Sequence, residues 1–369
     1  MHPPRVGFVL EQTLGHITHA DNLRALVGTE ESVDAVFAPI EFEVHGLPAH
    51  VPGYRNWTIR SGLRARRAIR ALRRSGPLDA LFIHSQVPAI MSPDLMRKIP
   101  TVVSLDATPL QYNELGVFYD HAVHSTRIEA FKLRSTVRCL ARAQQVVAWA
   151  QWTKQGLVDR YEVDPDKVHV IPPGVRLDLW DDVGERRRTR APDTPTRVLF
   201  VGGDLRRKGG LILLEAIGRL RHEGVAIELD VVTRDEVEEA PGVRVHHGLG
   251  PNSPGLIDLY RVADIFCLPT LGDCLPMVLS EAGAAHLPLV STDVGAIDEI
   301  VRDGETGLLV PADDAESLAA ALGRLAADPE LCGQLGAGAN RVVHREFDAA
   351  ANARRLCELL AAVAAGDGR

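Results

Sequence analysis

The feature that most constrains this chain is an alternation of short apolar runs with helical stretches, run through once and then begun again. Val6–Leu10, Val33–Ala38, Ala80–His84, Thr101–Leu105, Val146–Ala150 and Val168–Ile171 are mostly continuous apolar segments of strand length, the pattern of a parallel sheet buried on both faces. Between them Ile17–Val27, Gly62–Arg74, Ser125–Arg142 and Gln151–Tyr161 are long enough to be crossover helices. Pro172-Pro173-Gly174 breaks the series, and the polar, proline-spaced DDVGERRRTRAPDTPT that follows reads as a linker. The alternation then restarts. Strands are expected at Val198–Val201, Ile227–Val232, Val243–His246, Ile265–Leu268 and Leu287–Ser291, and helices at Leu211–Arg221, Pro254–Val262, Pro276–Ala285 and Ala296–Arg302. The Ala- and Leu-rich tail from Ala315 to Ala365 reads as two or three closing helices. The expected organisation is two doubly wound α/β domains, 1–173 and 174–347, with a last helix over about 348–365 that packs back on the first. Such domains bind ligands at the carboxyl ends of their strands, so the site is expected in a cleft between them.

Composition excludes several classes. The 369 residues are 46% hydrophobic and 24% charged, an ordinary globular profile. A net charge of -8 argues against a protein built to coat nucleic acid. That average hides a split: residues 1–172 carry 20 Lys and Arg against 17 Asp and Glu, and the remainder 21 against 32. Five scattered cysteines without a CxxC pair point to reduced thiols. The apolar run in MHPPRVGFVLEQ is about five residues, far short of the roughly 20 that span a bilayer, and a cytoplasmic protein is expected.

Two segments of the second half carry chemistry. In LPTLGDCLPMVLSEAGAA a strand ends at Leu268-Pro269, a loop carries Asp273, and Pro276 opens a helix holding Glu281 among apolar residues. A carboxylate in that setting is expected to be at least partly buried and to need a hydrogen-bonding partner, for which a sugar hydroxyl is suited. The amides of Leu275, Met277 and Val278, with the helix dipole, form a candidate pyrophosphate site. The plainer alternative makes Asp273 a cap and pairs Glu281 with a distant cation. In VLFVGGDLRRKGG a strand leads into Gly202-Gly203 and then Arg206, Arg207 and Lys208, glycines for close backbone approach and cations for a leaving diphosphate. Its alternative is a solvated basic turn.

Taken in order, VGG…RKGG…LLEA, LPT…DxxxxxxxE and VxxTDVGAIDEIVRDGETGLLV resemble the nucleotide-sugar half of the retaining glycosyltransferases of family 4, which have the GT-B fold. VAWAQWTKQGLVDRYEVDPDKVHVIPPGV is similar to the end of that family's first domain, so the resemblance covers about 145–312 strongly and the first 144 residues weakly. It implies an α/β GT-B fold of two doubly wound, parallel-sheet (Rossmann-like) domains facing a central cleft. It also implies that Glu281 binds the ribose, Asp273 contacts the donor sugar and Lys208 binds the diphosphate. Two positions depart from the pattern. The first acid is Asp273 where Glu is usual, and the usual arginine after VG is Gly203, so that Arg207 or Arg206 is the expected substitute.

In the first half, LEQTLGHITHADNLR matches the family's glycine loop, with Gly15 followed by His16 and His19 as candidates to bind or position an acceptor hydroxyl. Asp106, just after a strand in TVVSLDATP, stands where many relatives carry a histidine, and a carboxylate there suits hydroxyls of donor or acceptor. Helix capping and an Asp-Ala-Thr-Pro turn are the respective alternatives. Asp164-Pro165-Asp166 and the pair His121 and His124 have metal-like spacing, but the first lies away from the expected phosphate site and the second lacks a third ligand. No metal and no cofactor beyond the donor are expected.

RSGLRARRAIRALRRSG, residues 60–76, holds seven arginines and no acid, with Ala65, Ala68, Ile69 and Leu72 on the opposite arc. It reads either as a solvated face or as a peripheral contact with an anionic membrane or a phosphorylated acceptor. The leading expectation is a retaining, metal-independent glycosyltransferase moving a sugar from a nucleoside-diphosphate donor to an acceptor hydroxyl, by front-side attack in which the departing diphosphate helps take the proton. A sugar-nucleotide epimerase and a non-catalytic sugar-nucleotide-binding subunit are the rivals.

Overall fold

The computed structural model describes residues 2–13, 15–42, 56–116, 126–185, 194–238 and 240–366. The chain divides into two compact units, one of Met1–Asn113, Ala122–Pro173 and Ala349–Arg369, the other of Glu114–His121 and Gly174–Asp348. In chain order the first stretch runs β1 (Arg5–Gln12), α1 (His16–Val27), β2 (Asp34–Glu41), α2 (Trp57–Arg74), β3 (Ala80–His84), α3 (Gln86–Ala89), α4 (Pro93–Met96), β4 (Thr101–Leu105), α5 (Pro109–Glu114), α6 (Thr126–Arg142), β5 (Gln145–Ala148), α7 (Gln151–Tyr161) and β6 (Val168–Val170). The second runs α8 (Leu177–Glu185), β7 (Thr196–Val201), α9 (Gly210–His222), β8 (Ile227–Val232), β9 (Val243–His246), α10 (Pro254–Val262), β10 (Ile265–Leu268), α11 (Met277–Ala284), β11 (Leu289–Thr292), β12 (Gly307–Val310), α12 (Ala315–Ala327), α13 (Pro329–Glu346) and α14 (Ala349–Ala365).

Among the described residues each unit holds one six-stranded sheet, ordered β2-β1-β3-β4-β5-β6 in the first and β12-β11-β10-β7-β8-β9 in the second. Neighbouring strands pair in parallel. β3 and β4 are buried at every position, which is why they read as unbroken apolar runs and not as alternating ones. In each sheet the chain walks outward from its first strand, then returns to that strand's other side. The reversal falls between β1 and β3 in the first unit and between β7 and β10 in the second. Loops leaving adjacent strands there diverge to opposite faces and leave a crevice at the carboxyl ends.

Local chemistry sets the helices. Asn56 caps α2 by accepting from the Ile59 amide at 3.2 Å, and Asp314 and Asp328 cap α12 and α13 in the same way. α14 buries Ala353, Leu356, Cys357, Leu360 and Val363 in one core with Ala20, Leu23 and Val27 of α1, spacings that place them on a single helical stripe.

Two expectations are corrected. The expected linker, 181–196, begins inside a helix: α8 runs Leu177–Glu185, with Trp180 fully buried, its ring edge-on to Tyr260 at 4.8 Å, and Val183 buried one turn on. The expected helix Ala296–Arg302 is replaced by a short 3-10 turn, Ile297–Glu299, and a strand begins further on at Gly307. That strand, β12, was not among those expected from sequence. It is held by pairing with β11.

Candidate active site

In the second unit the β7/β10 reversal brings together two loops distant in sequence. β7 runs into Gly202-Gly203 and a tight turn that closes at Gly209, whose φ of 76° is left-handed. A Cβ at Gly209 would lie 1.8 Å from the Pro269 carbonyl oxygen, so only glycine lets this turn pass against the end of β10. The Leu271 amide donates to the Arg207 carbonyl at 2.8 Å, and Thr270 donates to the same oxygen at 3.1 Å. Across this seam Lys208 is ion-paired with Asp273.

Asp273 is buried. Its other oxygen accepts from the Cys274 amide at 3.2 Å, so its carboxylate serves the lysine and its own loop and not a helix cap. Gly295, with φ of 63°, passes within van der Waals range of the Asp273 carbonyl where a Cβ would not fit. Arg207 donates to the Gly272 carbonyl at 3.0 Å and lies 3.5 Å from Asp204 and 3.9 Å from Asp273. It braces the seam. The helix beyond, α11, starts at Met277 with Pro276 as its cap residue, and the amides of Met277 and Val278 are first-turn donors with no acceptor inside the helix.

Glu281 is buried on α11 and accepts from the Tyr260 hydroxyl at 3.2 Å. Burial in apolar surroundings pushes its carboxyl up to about 7. Tyr260, itself buried and pushed up by burial and by the Glu281 charge, is fixed by Trp180 on one side and a stacked Phe266 at 5.6 Å on the other. The cationic partner of the plainer reading is not what Glu281 touches: a hydroxyl is.

In the first unit the β1/β3 reversal builds a different cluster. His16 begins α1, preceded by Gly15, around whose Cβ position there is open space. His16 Nδ1 lies 2.8 Å from His84 Nε2 at the end of β3, and its Nε2 lies 3.4 Å from Asp106 just past β4. Glu11, at the end of β1, is 4.0 Å from His16 Nδ1 and accepts from Ser85 and, at 2.7 Å, from the Trp57 indole. Trp149, beyond β5, stacks on His84 with ring centres 5.0 Å apart and touches the His16 and His19 rings.

Burial alone would lower the His16 imidazole, but the Asp106 carboxylate and then Glu11 outweigh it and raise it above its ordinary value. Asp106 is held below its ordinary range: burial opposes this, and His16, the Tyr112 hydroxyl at 2.6 Å and the Ala107 amide prevail. His84 and His19 stay neutral, His84 driven far down and His19 down to about 3, chiefly by burial and then by the neighbouring imidazole of His16. An imidazolium at His16 donates Nδ1–H to His84 Nε2, which puts the neutral His84 proton on Nδ1. That nitrogen is buried without a partner among the described residues.

The structure thus groups Lys208, Arg207, Asp273 and Gly203 at one reversal, with Glu281 on the adjoining helix, and His16, Asp106 and Gly15 at the other. Glu11, His84, Trp149, Tyr112 and Tyr260 join them without having been singled out from sequence. Each follows or ends a strand, or lies on an element beside one, and His84-Ser85 and Glu11 are polar residues closing apolar runs, the one signal that pointed to them. Asp164 caps the turn Pro165–Lys167 by accepting from Asp166 N at 3.0 Å, a local structural use. His121 and His124 lie outside the described residues. Among those described, no three His, Cys, Asp or Glu side chains converge as metal ligands.

On α2, which begins five residues before the expected start, Arg60 is buried against Trp57 and Phe42, Arg64 donates to the Glu41 carbonyl and Arg66 forms a paired hydrogen bond with Asp94, whose carboxyl it pulls down to about 2. Arg67, Arg70, Arg73 and Arg74 are exposed. No described helix is long and apolar enough to cross a membrane.

Comparison with known proteins adds the family. Residues 26–179 match the model of Glycosyltransferase Family 4 and residues 195–328 that of Glycosyl transferases group 1. A D-inositol 3-phosphate glycosyltransferase of Acidothermus cellulolyticus is 32% identical over 210 residues, 51% of this chain and 47% of that protein. One from Corynebacterium glutamicum is 30% identical over 227 residues, 56% and 54% of the two chains. The matched region spans about half the length of these relatives. Among solved structures, sucrose-phosphate synthase from Thermosynechococcus elongatus superposes with a TM-score of 0.73 at 19% identity, over 98% of this chain and 100% of that one. Anabaena HepE in complex with UDP-glucose superposes at 0.68 and 14%, over 97% and 100%. The chain belongs to the family 4 glycosyltransferases, and its two α/β units have the GT-B fold.

Proposed function

We propose that this protein transfers a sugar from a nucleoside-diphosphate donor to an acceptor hydroxyl, with retention at the anomeric carbon and without a metal ion. The observation that carries this reading is the second unit's cluster. Lys208 and the first-turn amides of α11 offer positive charge to a diphosphate. Asp273 beside them suits a sugar hydroxyl, and the buried Glu281 carboxyl, with the Tyr260 hydroxyl on it, suits the two ribose hydroxyls.

The first unit supplies the acceptor side. Asp106 accepts hydrogen bonds from hydroxyls. His16, whose protonated form the Asp106 and Glu11 carboxylates favour, acts as a donor to an oxygen. The proton released by the acceptor goes to the departing diphosphate, whose bond to the anomeric carbon breaks as the new glycosidic bond forms. The curated relatives are named for D-inositol 3-phosphate, which makes that compound the first acceptor to assay.

The test is mass-spectrometric detection of glycosylated acceptor with a panel of nucleotide sugars, for the unaltered protein and Lys208→Ala. Transfer that collapses in the variant supports the reading, and near-normal transfer removes it. Isomerised donor without acceptor would favour an epimerase, and binding without turnover a non-catalytic subunit. The four exposed arginines of α2 support reversible docking on an anionic membrane, at about 1 kcal/mol per cation near the surface. Their joint replacement by alanine should abolish sedimentation with phosphatidylserine vesicles, and unchanged sedimentation would leave α2 a solvated face.

A further inference from the structure

We propose that Arg234, at the end of β8, is the second cation of the diphosphate site, reaching through space into the position that Gly203 leaves empty. This rests on the donor-binding reading above and deepens it.

Neither Gly202 nor Gly203 has a left-handed backbone, so these glycines are there for space and not for conformation. A Cβ at Gly202 would lie 3.0 Å from Lys208 Cβ and 2.7 Å from the Phe200 ring. A Cβ at Gly203 would lie 2.9 Å from Arg234 Nε and 3.0 Å from its Nη2. Two adjacent missing side chains thus admit two cations to one turn. The backbone holds them there: the Gly202 amide donates to the Val232 carbonyl at 2.9 Å, extending the β7/β8 pairing to within two residues of Arg234.

Charge accounting favours the same residue. Lys208 and Arg207 both lie against carboxylates, Asp273 and Asp204, which offset part of the charge they offer a diphosphate, so a cation without such a partner adds most to the site. Arg234 is exposed. Its Nε approaches the Gly203 carbonyl at 3.4 Å, and among the described residues no carboxylate lies within ion-pairing distance of it. The adjacent acid, Asp235, is turned to the Leu205 amide at 2.6 Å. The Arg206 side chain is exposed and makes no hydrogen bond or ion pair among the described residues. A guanidinium free of a carboxylate, beside a backbone that a side chain would otherwise obstruct, is suited to two parallel hydrogen bonds to phosphate oxygens.

The test is calorimetric titration of the full chain with UDP, GDP, ADP and dTDP, and competition by inorganic pyrophosphate. Variants are Arg234→Ala, Arg206→Ala, Arg219→Ala as a distant charge control, and the exchange pair Gly203→Arg with Arg234→Gly. Arg234→Ala should weaken the preferred nucleotide and pyrophosphate about tenfold, the loss of one charge-assisted contact, with an unchanged melting temperature. The exchange pair should recover most of that loss, because it supplies a guanidinium to the same gap from the other strand.

Binding by Arg234→Ala within twofold of the unaltered protein overturns the proposal, as does a loss found in Arg206→Ala instead. If the unaltered protein binds none of the four nucleotides, the donor-binding reading itself falls. If it binds and Arg234→Ala binds equally, only the role of Arg234 falls.

Discussion

The two units have the same construction and opposite contents. In each, a parallel sheet reverses direction beside its first strand, and the loops at that point carry the polar residues. In the first unit they deliver two carboxylates and three imidazoles packed on Trp149. In the second they deliver cations: Lys208 and Arg207 tied to Asp273, with Arg234 alongside. Topology selects the place and leaves the chemistry to the side chains. A charge split of 20 bases to 17 acids against 21 to 32 gives no hint of this, since the acidic half holds the cationic site. Local electrostatics at a crevice is set by a few desolvated groups, and surface charge in high dielectric contributes little to it.

The sharpest way to break the comparison is to remove one charge from each side. Lys208→Ala should lower turnover by roughly two to three orders of magnitude and weaken nucleotide binding, as expected when charge stabilisation of a leaving group is lost. Asp106→Asn should lower turnover by roughly 10 to 100-fold with nucleotide affinity unchanged. Equal loss of UDP affinity in both, measured by calorimetry, would mean that the division of labour is wrong.

A second prediction concerns what holds Glu281. Trp180→Ala should cost about 3–5 kcal/mol of stability, the range for truncating a buried aromatic, read as a fall in the denaturation midpoint. A smaller cost than 1 kcal/mol would show that α8 does not support Tyr260.

The third prediction uses pH. Glu281 is raised from an ordinary 4.5 to about 7 by burial, so between those values the folded protein retains a proton that the unfolded chain releases. Stability from this group therefore declines as pH rises from about 4.5 to 7 and stays lost above. Glu281→Gln should flatten the profile and gain, relative to the unaltered protein, on the order of 2 kcal/mol more at pH 8 than at pH 4.5. No change in the profile would place the carboxyl in a more solvated or better-paired setting.

His16 has the reverse sign and the smallest effect. Its raised value makes its contribution full below the ordinary imidazole value and lost as pH rises through the folded one. His16→Gln should remove a stability increment present at pH 6 and absent at pH 9, read by thermal melts. A variant equally destabilised at both would reduce His16 to packing.

The regular elements were legible wherever one physical signal dominated. β3, β4, β8, β9 and β10 have the bounds that their apolar runs indicated; in β3, β4 and β10 every position is buried, so few polar residues blur their ends. α8 was hidden because two buried residues, Trp180 and Val183, stand among acids, and β12 because its pairing with β11 is a tertiary fact. On the site, Lys208, Asp273 and Glu281 could be singled out from their spacing, whereas Glu11 meets Trp57 and Ser85, Trp149 meets His84, and Arg234 meets Gly203 across tens of residues.

What the sequence determined by itself is therefore the α/β alternation, its restart after Pro172-Pro173-Gly174, and the residue types available at strand ends, because hydrophobic periodicity and glycine or proline breaks act over a few residues. The tertiary structure alone decided which charges neutralise one another, that Asp106 and Glu11 raise His16 while burial lowers His19 and His84, and that the gap at Gly203 is filled from β8. Those outcomes depend on distance and desolvation between loops of different strands, which no local pattern encodes.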